Sequence, residues 1–213
     1  MFKDRKDAGI QLGLALKKFS KENPLVIGIP RGGIETAYYV AQVLHADMIP
    51  VISRKLGFPY NPEFAMGAIA EDGSLYLSTL ARSTVREAEI EEIKDREIQE
   101  IKRRIDLLRG GKPLPALKDR TVIVVDDGIA TGATLFATLE MCKKQQPKKL
   151  IAAAPISGNE AAEKVKSMTD ESVILEIPFD FYAVSQGYDS FSNLSDEATI
   201  EFIRKFEEER KEK

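Results

Sequence analysis

The sequence predicts an α/β protein built on a parallel sheet with helices on both faces. Three observations carry this. Short apolar runs, several rich in β-branched residues, recur at 25–29, 47–54, 122–125, 150–156 and 173–177, as strands buried on both faces require. Segments with helical spacing of apolar residues alternate with them, notably at 34–44, 133–144 and 159–168. Glycine, proline and aspartate clusters punctuate the junctions. Strands and helices alternating in this way are met by right-handed crossovers within one sheet.

Residues 4–19 carry Ala8, Ile10, Leu12, Leu14, Ala15, Leu16 and Phe19 among charges, which suits an amphipathic opening helix ended by Asn23-Pro24. The strand at 25–29 runs into Pro30-Arg31-Gly32-Gly33 and then a helix at 34–44. Arg31 therefore stands at the C-terminal end of a strand, where ligands of open α/β sheets collect, and Gly32-Gly33 leave backbone N–H groups open to an anion. A plain turn with a solvated arginine is the other reading. Residues 47–54 read as one strand ending in Arg54-Lys55. Gly57, Pro59, Asn61 and Pro62 then break regular structure, and Glu71-Asp72-Gly73-Ser74 reads as a hairpin tip between 68–70 and 75–77.

Residues 84–109 predict a long helix with Ile90, Ile93, Ile98, Ile101, Ile105 and Leu108 as its apolar stripe. Glu92 with Arg96 and Glu100 with Arg104 stand four apart, as supporting surface pairs do. Gly110-Gly111 stops it. After the strand at 150–156 come a short helix, a last core strand at 173–177, and an aromatic, irregular stretch at 178–194. Ser195-Asp196-Glu197 opens a terminal helix.

At 213 residues the chain suits one well-buried core. Acidic and basic residues number 34 and 31, so no basic excess points to nucleic acid. The charged N-terminus does not open a signal peptide and no apolar run reaches membrane-spanning length, so a cytoplasmic protein without a membrane partner is expected. Cys142 stands alone, and the single His45 cannot make a histidine metal site.

The chemistry concentrates in residues 121–134, T-V-I-V-V-D-D-G-I-A-T-G-A-T. A buried strand stops at Asp126-Asp127, Gly128 lets the chain turn, and a helix starts near Ala133. Ala130, Gly132 and Ala133 let a ligand approach, and Thr131 and Thr134 set hydroxyls beside the first free N–H groups of the helix, a favourable place for phosphate. Two carboxylates would repel a polyphosphate but accept well from hydroxyls. A phosphate on one side and hydroxyls on the other describe a ribose 5-phosphate. Capping by the aspartates and turning by Gly128 is the bland alternative, and neither a P-loop nor a G-x-G-x-x-G motif is present.

V-V-D-D-G-I-A-T-G-A-T resembles the signature loop of the type I phosphoribosyltransferases, and Pro30-Arg31-Gly32-Gly33 resembles their diphosphate loop. Together with R-K-x-G-x-P-x-N-P-E-F-A-M-G-A, these motifs resemble a little-characterised branch of that family. The resemblance implies one domain over 1–213 with the type I phosphoribosyltransferase fold, a mobile loop near 56–81, an inserted helix near 84–109 and a small hood near 178–194. It implies transfer of ribose 5-phosphate from 5-phosphoribosyl 1-diphosphate (PRPP) to an unidentified base, with Mg²⁺ carried on the diphosphate and no metal site of the protein's own. Arg31, Lys55, Asp126 and Asp127 become the candidate catalytic residues. Arg31, Gly32, Gly33, Asp126, Asp127, Gly128, Ala130, Thr131, Gly132, Ala133 and Thr134 become the PRPP-binding set.

Several further points rest on the resemblance. A non-proline cis peptide is expected in the first loop, Glu63 is open as either a proton-handling or a surface residue, and Phe181, Tyr182 and Val184 are candidates to lie over the base. No lysine or histidine occurs between Lys55 and Lys94, which argues against the orotate pattern. The 6-oxopurine enzymes carry an acid where this chain has Ala130, which argues against hypoxanthine and guanine salvage, and alanine there resembles the adenine enzymes without establishing adenine as substrate. A homodimer stays open, and so does a second function class: a non-catalytic regulator that binds PRPP or a nucleotide.

Overall fold

In the computed structural model, which describes residues 1–211, five parallel strands form the central sheet. Their spatial order is β2 (Asp47–Pro50), β1 (Leu25–Gly28), β6 (Thr121–Val125), β7 (Lys149–Ile156) and β8 (Glu171–Glu176). β1 pairs on one side with β2, Leu25 opposite Asp47, and on the other with β6, Leu25 opposite Val122. Alternate residues point to opposite layers. Leu25, Ile27, Val122, Val124, Leu150 and Ala152 meet Leu135 and Phe136 of α5 (Ala133–Lys144) and Val165 of α6 (Asn159–Met168). Val26, Ile123, Val125, Ile151 and Ala153 meet Leu12 of α1 (Arg5–Ala15), Tyr38 and Val40 of α2 (Gly32–Leu44), and Phe206 of α7 (Asp196–Lys211). The expected parallel sheet with helices on both faces is what the chain builds.

The strand order fixes where a ligand can sit. From β1 the chain crosses through α2 to β2 on one side; from β6 it crosses through α5 to β7 on the other. The loops after β1 and β6 therefore diverge and leave a crevice between them, the binding position characteristic of open α/β sheets.

The run 47–54 is not one strand. β2 ends at Pro50, Val51 N–H bonds back to the Gly28 carbonyl at 3.1 Å, and Ile52 N–H turns to Glu71 Oε2 at 2.9 Å. The chain then enters a separate antiparallel sheet of β3 (Ser53–Phe58), β4 (Asn61–Ala70) and β5 (Leu75–Leu77). Gly57, Asn61 and Pro62 thus lie within a strand pair rather than breaking it. The pair absorbs them through register shifts on either side of Gly57. The hairpin tip at 71–74 lies where expected, between β4 and β5.

A short helix α3 (Thr79–Thr84) precedes α4 (Glu87–Arg109), so the long helix starts three residues later than its pattern suggests, after Ser78 caps α3. α4 lays Ile90, Ile93, Ile101 and Leu108 against Leu56, Met66 and Ile69 of the small sheet. Glu100 pairs with Arg104 at 2.9 Å as expected, but Arg96 meets its neighbour Glu97 at 3.4 Å instead of Glu92. Among the described residues no helix is long and apolar enough to cross a membrane.

Candidate functional site

Both crevice loops are tied to the sheet by backbone hydrogen bonds. Ile29 N–H donates to Val125 O at 3.2 Å, and Asp126 N–H to Ala153 O at 3.2 Å. Ile129 is pinned twice to the end of β7: its N–H donates to Ile156 O at 2.9 Å, and its carbonyl accepts from Gly158 N–H at 3.2 Å. Buried strand ends thus fix the loop between Asp126 and Gly132. The expected non-proline cis peptide lies between Pro30 and Arg31.

The acids of one loop lie against the glycines of the other. A Cβ on Gly32 would stand 1.8 Å from Asp127 Oδ2, and one on Gly33 would stand 3.0 Å from Asp126 Oδ1. Only a residue without a side chain lets the carboxylate come this close. Asp126 accepts from the Asp127 N–H at 2.9 Å. Burial, and then the charge of Asp127, push its carboxyl well above the usual range. Asp127 meets Arg5 of α1, whose Nε donates to Oδ2 at 2.7 Å. Tyr188 donates its hydroxyl to the Asp127 carbonyl at 2.5 Å, and burial raises that phenol. Burial also raises Glu35, in the first turn of α2.

At the other end of the loop Gly132 takes φ +73°, and a Cβ there would stand 2.5 Å from the Phe136 ring. α5 begins immediately after it with no side-chain cap, so its first N–H groups have no intrahelical acceptor. Ala130 and Thr131 are exposed and Thr134 is half-buried. Behind them Thr138 donates to Thr134 O at 2.9 Å and shares a buried 2.7 Å hydrogen bond with Ser53, which joins α5 to the small sheet. A helix start with free N–H groups, which favours an anion, thus stands on the same loop as two carboxyl groups.

Beside Ala130 and Thr131 opens a cavity of about 630 Å³, between the small sheet, α6 and the aromatic segment. Phe181 packs on Gly158 and faces it, together with the exposed Phe179. Lys164 lies over Tyr76 and Phe136, 4.4 and 5.2 Å from their ring centres, and donates to the Tyr76 hydroxyl at 3.1 Å. Val184 packs on Gly128, and Tyr182 is largely exposed.

Other residues singled out from the sequence lie farther apart. Arg31 is 44 % exposed and reaches Asp196 at the start of α7, 3.6 Å away. Lys55 is exposed on β3 and donates to the Glu63 carbonyl across the hairpin at 2.9 Å; its ammonium is turned to its own sheet. Arg54 is paired with Glu97 of α4 at 2.9 Å. The Glu63 side chain is exposed. Arg5 and Tyr188 were not legible as site residues. They lie 122 and 61 residues from Asp127 in sequence, and no local pattern distinguishes them.

Comparison with known proteins bears on this geometry. Residues 12–190 match the phosphoribosyl transferase domain family. A Mycobacterium tuberculosis protein provisionally named a phosphoribosyl transferase is 37% identical over 205 residues, covering 95% of this chain and 46% of its own length. The chain thus spans about half the length of the curated relatives it matches. The crystal structure of TT1426 from Thermus thermophilus superposes with a TM-score of 0.82 at 36% identity, covering 97% of this chain and 99% of that one. A structure of the AQ2163 protein from Aquifex aeolicus, at 16% identity and a TM-score of 0.52 over 81% and 74% of the two chains, shares the fold alone.

Proposed function

Since the chain belongs to the phosphoribosyl transferase domain family, we propose that it transfers ribose 5-phosphate from PRPP to a nitrogenous base and releases diphosphate. One observation carries the reading. The acids at the end of β6 lie against the glycines at the end of β1, so two carboxyl groups, the turn glycines and the start of α5 share one crevice.

In this reading the first N–H groups of α5, with Thr131 and Thr134, hold the 5-phosphate. Asp126 and Asp127 accept from the ribose hydroxyls, and Asp127, paired with Arg5, offsets positive charge that develops on the sugar. Gly32, Gly33 and Arg31 face the diphosphate, and Lys55 reaches it if the hairpin moves. The base nitrogen forms its bond to C1 as the C1–oxygen bond breaks. The bonding pair leaves with diphosphate, and the nitrogen's proton passes to solvent. Little covalent chemistry is asked of the protein; positioning and charge supply the rate.

Among the described residues no group of three or more histidine, cysteine or acidic side chains is placed to hold a metal. A magnesium ion carried on the diphosphate would neutralise the leaving charge. The cavity beside Ala130, with its aromatic walls, is where the acceptor fits.

Calorimetry with PRPP and Mg²⁺, followed by diphosphate release across a panel of bases, tests the reading. Saturable binding with turnover of at least one base supports it. Binding with no turnover of any base would favour a regulator that senses PRPP, and no binding would remove both.

A further inference from the structure

A carboxylate meant for a ribose hydroxyl must be held in one orientation, and the loop alone does not hold Asp127. Its Oδ2 is closed on one side by the backbone of Gly32 and engaged on the other by Arg5 Nε at 2.7 Å. Arg5 does not engage Oδ1, which lies on the side of the carboxylate away from that contact. Arg5 itself is only 6% exposed and is fixed on three sides. Beyond Asp127, its Nη1 donates to Ser192 O at 2.8 Å, and its guanidinium lies 4.0 Å from the centre of the Phe191 ring. A lysine could not make this set, because it lacks both the planar fork and the stacking face.

The same segment reaches Asp127 a second time. Phe191 packs on Tyr188, with ring centres 4.9 Å apart, and Tyr188 donates to the Asp127 carbonyl. The N-terminal residues are joined to this segment by backbone hydrogen bonds. Phe2 N–H donates to Gly187 O at 2.7 Å, Asp189 N–H to Phe2 O at 2.8 Å and Ser190 N–H to Lys3 O at 3.0 Å. Phe2, Ala8, Ile156 and Tyr188 form a small apolar cluster beneath.

We infer that Arg5 is a positioning residue: it orients Asp127 for the ribose, and residues 1–5 with 187–192 complete the ribose subsite from outside the two glycine loops. The inference rests on the transferase reading, and it names a determinant of ribose recognition that the loop motif does not contain. Arg5 touches no ligand in this account. Its effect passes through the carboxylate it holds.

The test compares a ligand that has a ribose with one that does not. Arg5→Gln should weaken PRPP binding about tenfold, roughly 1.4 kcal/mol, while inorganic diphosphate with Mg²⁺ binds within about twofold of wild type. The double variant Arg5→Gln/Asp127→Asn should bind PRPP no more weakly than Asp127→Asn alone, as residues acting through one another do. Phe191→Leu, which removes the ring beneath the guanidinium, should give the same selective pattern at about threefold, and it decides the matter if Arg5→Gln does not fold. Equal losses for both ligands, or losses that add in the double variant, would overturn the positioning role. A wild-type protein that binds diphosphate but not PRPP would overturn the transferase reading itself, and the role of Arg5 with it.

Discussion

Two arginines are buried among the described residues, and the protein uses them differently. Arg109, at the end of α4, faces Glu71 at the hairpin tip through two parallel contacts, Nη2 to Oε1 at 2.7 Å and Nη1 to Oε2 at 2.9 Å. The remaining capacity of that pair is largely used as well, because Oε2 also accepts from Ile52 N–H, and the guanidinium also donates to Pro50 O and Lys112 O. Arg5 makes only one contact to Asp127, whose side chain also meets that of Asp126, a second acid whose own carboxyl is raised. Full pairing is what a structural joint needs. Partial pairing, in a crevice between two loops, is what the proposed ribose needs.

The largest effect should come from the structural pair. Arg109→Ala leaves Glu71 charged and enclosed, and should cost about 3–5 kcal/mol in denaturant unfolding. PRPP affinity, measured on the protein that remains folded, should be unchanged. Equal damage to binding would erase the distinction between the two regions.

Thr131→Val should do the reverse. The side chain is exposed, so the melting temperature should stay put, whereas PRPP affinity should fall about tenfold for a lost phosphate hydrogen bond, about 1.4 kcal/mol. Calorimetry and a thermal melt on one preparation decide it.

Asp126→Asn sharpens the contrast in sign. The Asp126 carboxyl is raised above its ordinary value of 3.8, so the folded state holds that proton more tightly than the unfolded chain. Its contribution to stability therefore declines as pH climbs from the ordinary carboxylate value through the raised one. Asparagine keeps the oxygen that accepts the Asp127 N–H and removes the buried charge. The variant should melt about 2–4 °C higher near neutral pH, the shift that roughly 1 kcal/mol gives a chain of this size, and should gain nothing near pH 4. It should also bind PRPP less well.

The smallest effect belongs to the surface of α4. Glu100 pairs with Arg103 and Arg104, and these hydrogen bonds lower its carboxyl to about 2. A depressed carboxyl stabilises above its unfolded value of 4.5 and loses that contribution as pH falls through about 2. Glu100→Gln should cost no more than about 0.5 kcal/mol at neutral pH, because helix-surface pairs are screened by solvent.

The contrast between the two arginines also marks what the sequence could tell. The parallel sheet was readable because strands buried on both faces need unbroken apolar runs, and the crevice loops because each is continuous in sequence: Pro30 to Gly33 and Asp126 to Thr134. Even so, an apolar run does not record where one sheet ends and the next begins, so β2 and β3 read as one strand across Pro50-Val51. The hairpin tip was visible in Glu71-Asp72-Gly73-Ser74, but the burial of Glu71 against an arginine 38 residues away was not. Arg5 read as one charge among several on an amphipathic helix. What sets it apart is a carboxylate 122 residues along the chain, and such a partner follows from the fold rather than from any local spacing.

Crystals grown with PRPP and Mg²⁺ test the central claim most directly. The 5-phosphate should lie within hydrogen-bond reach of the N–H groups at the start of α5, with a ribose hydroxyl on Asp127 Oδ1 and Arg5 still on Oδ2. A phosphate bound away from that helix start, or a ribose that does not touch the aspartate pair, would contradict it.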